Sequence, residues 1–264
     1  MVILAPSFRI HKRQINMKIL VCISNVPDTT SKINFTEDNT SFDTHGVQFV
    51  INPNDEFGLT RAMWFKEKQG ATIHVATVGG PEVEPTIRKA LAIGADEAMR
   101  VNAEPTDGLF VAHQLAEVIK NGSYDLIIAG RESIDYNGGM VPGMIAAMLN
   151  YNFVNTCIDL EIDGNTATAV REIDGGKEKI STSLPLIIGG QKGLVEESDL
   201  RIPNMRGIMM ARQKKLSVLE PIEAIHGTGD IEFEKPAVKG AVKLVNADDI
   251  NQLIDLLHNE AKVI

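Results

Sequence analysis

The sequence is poor in the residues that most soluble enzymes and secreted domains rely on. Only two of the 264 residues are cysteine, Cys22 and Cys157, and they lie far apart in apolar segments. Two such residues read as buried thiols in a reducing compartment rather than a disulfide framework, which argues against secretion. No run approaches the ~18 consecutive apolar residues that a membrane span requires, so no direct membrane insertion is expected. Cationic excess is also missing: 26 lysines and arginines stand against 35 aspartates and glutamates, a net charge of −9. A non-specific nucleic-acid binder needs a basic face, and no nucleic-acid partner is expected. The six histidines (His11, His45, His74, His113, His226, His258) show no ligand spacing, which excludes a recognisable metal site. There is no G-x-S-x-G elbow, and neither cysteine has a histidine beside it. His74 lies in an apolar stretch and reads as a packed histidine. No residue is assigned a catalytic role, and these absences point to a binder or carrier. What remains is 44% hydrophobic and 23% charged, enough for one compact core with or without an appendage, and too apolar for general disorder.

Residues 1–16 stand apart. They run apolar and then basic (Arg9, Lys12, Arg13), the reverse of a secretory signal. A short organelle-targeting stretch and an extension upstream of a start at Met17 both fit, and the second is preferred. Either way a disordered extension is expected.

From Met17 onward, short apolar runs recur at 18–23, 73–78, 125–129 and 184–188, each bounded by Gly, Pro or Asp as buried parallel strands are. Helical spacing lies between them. Val111, Leu115, Val118 and Ile119 share one face, with Asp107 as N-cap and Gly122 as stop; 57–69 and 82–93 read as two further helices, and Met144–Leu149 as a fourth. Such alternation predicts a doubly wound, mostly parallel α/β sheet of the Rossmann-like, nucleotide-binding kind, with ligands at the carboxyl ends of its strands. Between Thr156 and Leu184 the turns Asp163-Gly164-Asn165 and Asp174-Gly175-Gly176 predict a three-stranded antiparallel meander. The α/β domain is expected over 17–219. Residues 220–264 then form an extended C-terminal arm ending in an amphipathic helix at about 248–260, with Asp248 near its start and Ile250, Leu253, Ile254 and Leu257 on one face. That face is covered either by the same domain or by another chain.

Four loops could carry chemistry. Gly130-Arg131-Glu132-Ser133-Ile134-Asp135-Tyr136-Asn137-Gly138-Gly139-Met140-Val141 leads from a strand through glycines into a helix, an arrangement that presents backbone N–H groups to an anion. It is neither a Walker A motif nor a G-x-G-x-x-G fingerprint, so phosphate or nucleotide binding and a simple tight turn both stay open. The Met140, Met144, Met148 stripe reads as core packing. Asn52-Pro53-Asn54-Asp55 precedes a helix, and Asn54 or Asp55 could serve only as its N-cap. Gly79 follows a strand. These three loops share the carboxyl ends of strands in the doubly wound reading. The fourth stretch, 201–215, is basic and places three methionines within six residues, which suits an adaptable surface for an acidic partner or a solvated helix with one apolar face.

In order along the chain, Lys18–Ile23 with Val26-Pro27-Asp28-Thr29, Asn52-Pro53-Asn54-Asp55-Glu56, Gly94-Ala95-Asp96-Glu97-Ala98, Ala129-Gly130-Arg131-Glu132-Ser133-Ile134-Asp135 and Val170-Arg171-Glu172-Ile173-Asp174-Gly175-Gly176-Lys177-Glu178 followed by Leu184-Pro185-Leu186-Ile187-Ile188 resemble the beta (small) subunit of electron transfer flavoprotein. The resemblance implies a heterodimer with an alpha subunit that holds most of a redox-active FAD, and a structural AMP bound here. By position, AMP would meet Cys22, Asn52, Pro53, Asn54, Asp55, Gly79 and the loop from Gly130 to Val141. It implies electron transfer from acyl-CoA or other flavin dehydrogenases to a quinone oxidoreductase, with Ile202, Pro203, Asn204 and Met205 in a partner-docking loop anchored by Ile202. A cytoplasmic location follows, or the mitochondrial matrix in a eukaryote. Two departures bear on the ligand. Met140 stands where the family often has glutamine, removing a side-chain hydrogen bond, and Arg131-Glu132 replaces a common Lys-Gln. An electron-bifurcating relative with a second FAD in place of AMP is the near alternative, and a free-standing ATP-binding stress-protein-like module the more distant one. An ATP-cleaving enzyme fits least, since Ser24-Asn25-Val26-Pro27 lacks the glycines of a phosphate loop.

Overall fold

The computed structural model describes residues 17–238 and 240–264; the expectation for residues 1–16 lies outside them. The chain forms two compact units, the first comprising 17–34 and 43–230, the second 35–42 and 231–264.

The first unit runs β1 (Lys18–Cys22), β2 (Asn25–Pro27), β3 (Phe49–Ile51), α1 (Pro53–Gln69), β4 (Thr72–Val78), α2 (Glu84–Ile93), β5 (Glu97–Val101), α3 (Gly108–Gly122), β6 (Leu126–Gly130), α4 (Val141–Leu149), β7 (Asn152–Asp163), β8 (Thr166–Ile173), β9 (Gly176–Ser183), β10 (Leu186–Gly190), α5 (Met205–Ala211) and β11 (Leu216–Leu219). Nine strands form one sheet in the order β11-β5-β4-β1-β6-β10-β7-β8-β9. Pairing is parallel from β11 through to β7. The chain then turns back twice, pairing β8 and β9 antiparallel. The fold is a doubly wound, mostly parallel α/β sheet with helices on both faces.

Alternation along each strand explains the two layers. Ile19 and Val21 of β1 join Ile73, Val75, Leu126 and Ile128 against α1 and α2, with Phe57, Leu59, Ile87 and Leu91 closing that face. Leu20 and Cys22 point oppositely, joining Ala76 and Ile127 against Leu115 and Ile119 of α3 and Ile145 of α4. Strands buried on both faces are apolar along most of their length, as β1 and β6 are, with His74 and Thr77 polar residues within β4. The helix α1 lies so close to β6 that a Cβ on Gly58 would fall 2.6 Å from Ile128 Cγ2. The meander turns carry Gly164 and Gly175 at φ +61° and +81°, a backbone that glycine adopts without strain.

Four expectations need correcting. Helix α1 starts at Pro53, not near 57, because proline at its first turn supplies helical φ and needs no N–H acceptor. Strands β5 and β11 fall outside the expected apolar runs: Glu97 and Arg100 interrupt the first, and the second is four residues long. The methionine stripe is core only at Met144, which packs half-buried against the α3–α4 layer; Met140 and Met148 are exposed, and Ile145 and Ala146 take the buried positions of α4. The last helix is not one regular helix over 248–260: α6 spans Ile250–Asp255 and passes into a π-helical turn, Leu256–Ala261, and the side chain accepting its N-terminal bond belongs to Asp249.

The stem at 222–230 stays with the first unit. Gln114 of α3 exchanges two hydrogen bonds with the backbone of Ile222, and Asp107 accepts from Gly227 N and Thr228 N. In the second unit Phe35 stacks on Phe233 with centroids 4.9 Å apart, and Phe233 N donates to Asn39 O. Ile250, Leu253 and Ile254 are exposed there. No helix among the described residues is long and apolar enough to cross a membrane.

Candidate functional site

The parallel register sets the ends of β1, β4 and β6 side by side, and two of the three loops singled out there are bonded to each other. Asp55, at the third position of α1, does not cap its own helix. Its Oδ1 accepts Gly130 N at 2.7 Å and its Oδ2 accepts Ser24 N at 2.7 Å. Asn52 stands at the N-cap position without a side-chain cap. Its amide instead donates to Glu132 O at 3.0 Å and accepts from Ile134 N at 3.2 Å. Asn54 Nδ2 donates to the same Glu132 carbonyl at 3.0 Å. The N-cap reading of Asn54 and Asp55 is therefore replaced: these side chains bind the neighbouring loop. Pro53 provides the turn that aims all three.

Gly130 is required at the junction. A Cβ there would lie 2.4 Å from Asp55 Oδ1 and 2.9 Å from Asn52 Nδ2. Burial pushes the Asp55 carboxyl up to about 7 against the opposing effect of its donors. Cys22, closing β1 below it, is buried and pushed up to about 12 by desolvation and then by Asp55. That thiol is inert packing rather than a nucleophile.

Beyond Gly130 the loop folds on itself. Arg131 pairs with Glu132 at 2.7 Å. Ser133 O accepts Asn137 N, Asp135 Oδ1 accepts Tyr136 N, and Tyr136 Oη donates to Asp230 Oδ2 at 3.0 Å. Asn137 and Gly139 adopt φ of +50° and +60°. A Cβ on Gly138 or Gly139 would meet nothing closer than 3.8 Å, so this face is open. Met140 occupies the N-cap of α4 with no side-chain cap; Pro142 has no N–H and Met144 N donates to Met140 O, so the first-turn N–H groups left uncapped by any side chain are those of Val141 and Gly143. This donor set is neutral backbone at a helix start, next to glycines that permit close approach, and it suits a phosphate monoester better than a bulky apolar ligand.

Gly79 is not bonded to that loop. Its N–H reaches Val101 O and its carbonyl accepts Arg100 Nη1 at 2.9 Å. Arg100 is buried and also bonds Asn102 and Glu84. It fixes the end of β4, and its position inside a charged stretch concealed it in the sequence. Two other partners were missed. Ser24 contributes only a backbone N–H, which no residue type announces. Gln191 joins Arg131 at 3.2 Å to Glu172 at 2.5 Å, linking the loop to the segment Arg171–Gly176 across a long sequence gap.

Ile202, Pro203, Asn204 and Met205 lie together on the turn into α5. Ile202 and Met205 are exposed, and Asn204 caps the helix by accepting Gly207 N at 2.8 Å. Arg201 holds the turn's start to α1 through Glu67 at 2.9 Å. His74 is half-buried, with Nδ1 3.0 Å from Tyr124 Oη, as a packed histidine should be.

Comparison with known proteins places this geometry. The family model of the electron transfer flavoprotein domain matches residues 39–224. An electron transfer flavoprotein subunit beta of Bacillus subtilis (strain 168) is 36% identical over 94% of this chain and 100% of its own length. One from Syntrophomonas wolfei is 34% identical over 94% and 98%, and the human one 30% identical over 89% and 95%. With a family model spanning most of the chain and relatives matched almost end to end, the chain belongs to the electron transfer flavoprotein family, among its beta subunits.

Proposed function

We propose that this chain is the small subunit of a heterodimeric electron transfer flavoprotein, carrying electrons from flavin dehydrogenases such as acyl-CoA dehydrogenases to a quinone-linked oxidoreductase, and that it holds AMP in the loop Gly130–Val141. The observation that carries the nucleotide assignment is the stitch of Asn52, Asn54 and Asp55 to Gly130, Glu132 and Ile134. It fixes a glycine-lined strand end against an uncapped helix start. The backbone N–H groups from Gly138 through Val141 would hold the phosphate, with Asn52 to Asp55 supporting the loop from beneath. The Met140 side chain offers no hydrogen bond to the nucleotide, so affinity rests on the backbone. FAD, when bound with the alpha subunit, supplies the redox chemistry. The residues of this chain bind and orient.

The docking role falls to Ile202–Met205, and the arm at 231–264, with its exposed apolar residues, would be covered by the alpha subunit. Co-expression with the large subunit, purification and release of ligands by denaturation tests the reading. One FAD and one AMP per heterodimer is the expected count. Two FAD and no AMP would replace the AMP assignment by a bifurcating one, and a lone chain carrying ATP would overturn both.

A further inference from the structure

Helix α5 is fastened to the domain by its smallest residues and leaves its methionines outside. A Cβ on Gly207 would lie 2.3 Å from Ala92 O, so the helix backbone rests directly on the end of α2. Ala211, one turn on, is buried. Polar ties complete the attachment: Arg88 Nη1 donates to Ala211 O at 2.7 Å and Lys214 O at 2.9 Å, while Lys214 Nζ donates to Leu91 O and Ala95 O. None of these contacts uses a methionine. Met205, Met209 and Met210 are 76%, 66% and 51% exposed, beside Ile202 at 86%. Met17 and Met63, by contrast, are 3% and 4% exposed. Arg206 and Arg212 lie exposed at the same helix. A cluster of bare thioethers on a rigidly held helix is unusual for a surface with no partner, and thioether exposure governs access by peroxide.

We propose that Met205, Met209 and Met210 form an oxidation site through which hydroperoxide lowers electron delivery to this protein. The proposal rests on the reading of Ile202–Met205 as the dehydrogenase-docking loop, a surface that the exposed face of α5 continues. The thioether sulfur attacks one oxygen of hydrogen peroxide, the O–O bond breaks, and the departing hydroxide takes a proton to leave as water. Sulfur is oxidised by two electrons and peroxide reduced by two. Each sulfoxide puts a strong dipole on a face that must be desolvated for docking. A methionine sulfoxide reductase supplied with dithiol reverses the step, giving thioether, disulfide and water.

The test uses the purified heterodimer and graded hydrogen peroxide, with peptide mass spectrometry and stopped-flow flavin reduction by an acyl-CoA dehydrogenase from the same source. Oxidation is expected at Met205, Met209 and Met210 well before Met63. The KM for the dehydrogenase should rise about tenfold, the loss of roughly one buried methionine contact. Dithionite reduction and flavin content should stay unchanged, and sulfoxide reductase should restore the rate. The triple variant Met205→Leu, Met209→Leu, Met210→Leu keeps an apolar face; whatever its own starting KM, that KM should not rise further on peroxide treatment, whereas the unsubstituted heterodimer's should. Oxidation of Met63 at the same rate overturns the proposal. So does full oxidation of α5 with unchanged transfer while Ile202→Ala is slow; in that case the docking reading stands alone. If neither Ile202→Ala nor oxidation changes transfer, the docking reading falls as well.

Discussion

Asp55 Oδ1 accepts the N–H of Gly130 at 2.7 Å, joining the first turn of α1 to the end of β6 across 75 residues of sequence. The same carboxylate takes Ser24 N on its other oxygen, so one buried side chain closes three strand-end segments. Its position without solvent pushes its pKa up to about 7, well above the carboxylate range of an unfolded chain. The folded state therefore holds this proton more tightly than the unfolded state. Stability from the group is complete below about pH 4 and is lost as pH rises through about 7. Asp55→Asn removes the titration. Urea melts of both proteins from pH 4.5 to 8 should show the wild-type advantage shrinking as pH rises, by at most ~4 kcal/mol. A flat difference would mean that Asp55 is ionised in both states.

Gly130→Ala places a Cβ 2.4 Å from Asp55 Oδ1 and 2.9 Å from Asn54 Cβ. Neither neighbour can retreat without giving up a hydrogen bond or moving α1. Overpacking of this kind costs about 1–3 kcal/mol. On the proposed reading, the variant heterodimer should purify with less than one AMP while its FAD content changes little. Equal loss of both ligands would place the effect on assembly instead of on the loop.

The central strands β1, β4, β6 and β10 and the meander were legible because their signals are local: apolar runs bounded by glycine, proline or aspartate, and Asp-Gly turns. The loops carrying the site were legible as glycines and asparagines at strand ends, but their wiring was not. Asn52, Asn54 and Asp55 look like capping residues, and only the parallel register brings Glu132 and Ile134 within reach of them. Arg100 was missed for the converse reason. A charged residue in a strand weakens the apolar pattern, and its buried partners, Gly79 O and Asn102, become neighbours only after β4 and β5 pair. In α5 the pattern misleads in the other direction: its apolar residues face out, because Gly207 and Ala211 provide the contact with α2.

Ile202→Ala should slow flavin reduction by a partner dehydrogenase while bound flavin and thermal stability remain unchanged. The side chain is 86% exposed, so its truncation opens no cavity in the isolated subunit. The lost contact should appear in the KM for the dehydrogenase, about tenfold for a well-buried aliphatic anchor. Released flavin with intact dehydrogenase rates would instead assign Ile202 to the subunit interface.

Asp107 serves two segments at once. Its Oδ1 accepts Phe110 N at 2.8 Å as the N-cap of α3, and its Oδ2 accepts Gly227 N at 2.6 Å and Thr228 N at 2.9 Å. The Phe110 bond first, and then the bonds to the stem, hold its carboxyl below the usual range. The sign is opposite to that of Asp55: this contribution is present above about pH 4 and is lost as pH falls through the lower folded value. Asp107→Ala should cost about 1 kcal/mol for the cap. Its sharper signature is local. Freed at 227–228, the stem is tied at its ends by the Gln114 bonds to Ile222 and the Tyr136 bond to Asp230, so amide exchange at Gly227 and Thr228 should quicken and limited proteolysis should cut between 223 and 229, while exchange in β1 and β6 stays slow. Uniformly faster exchange across the sheet would mean that the cap, not the stem, is what Asp107 secures.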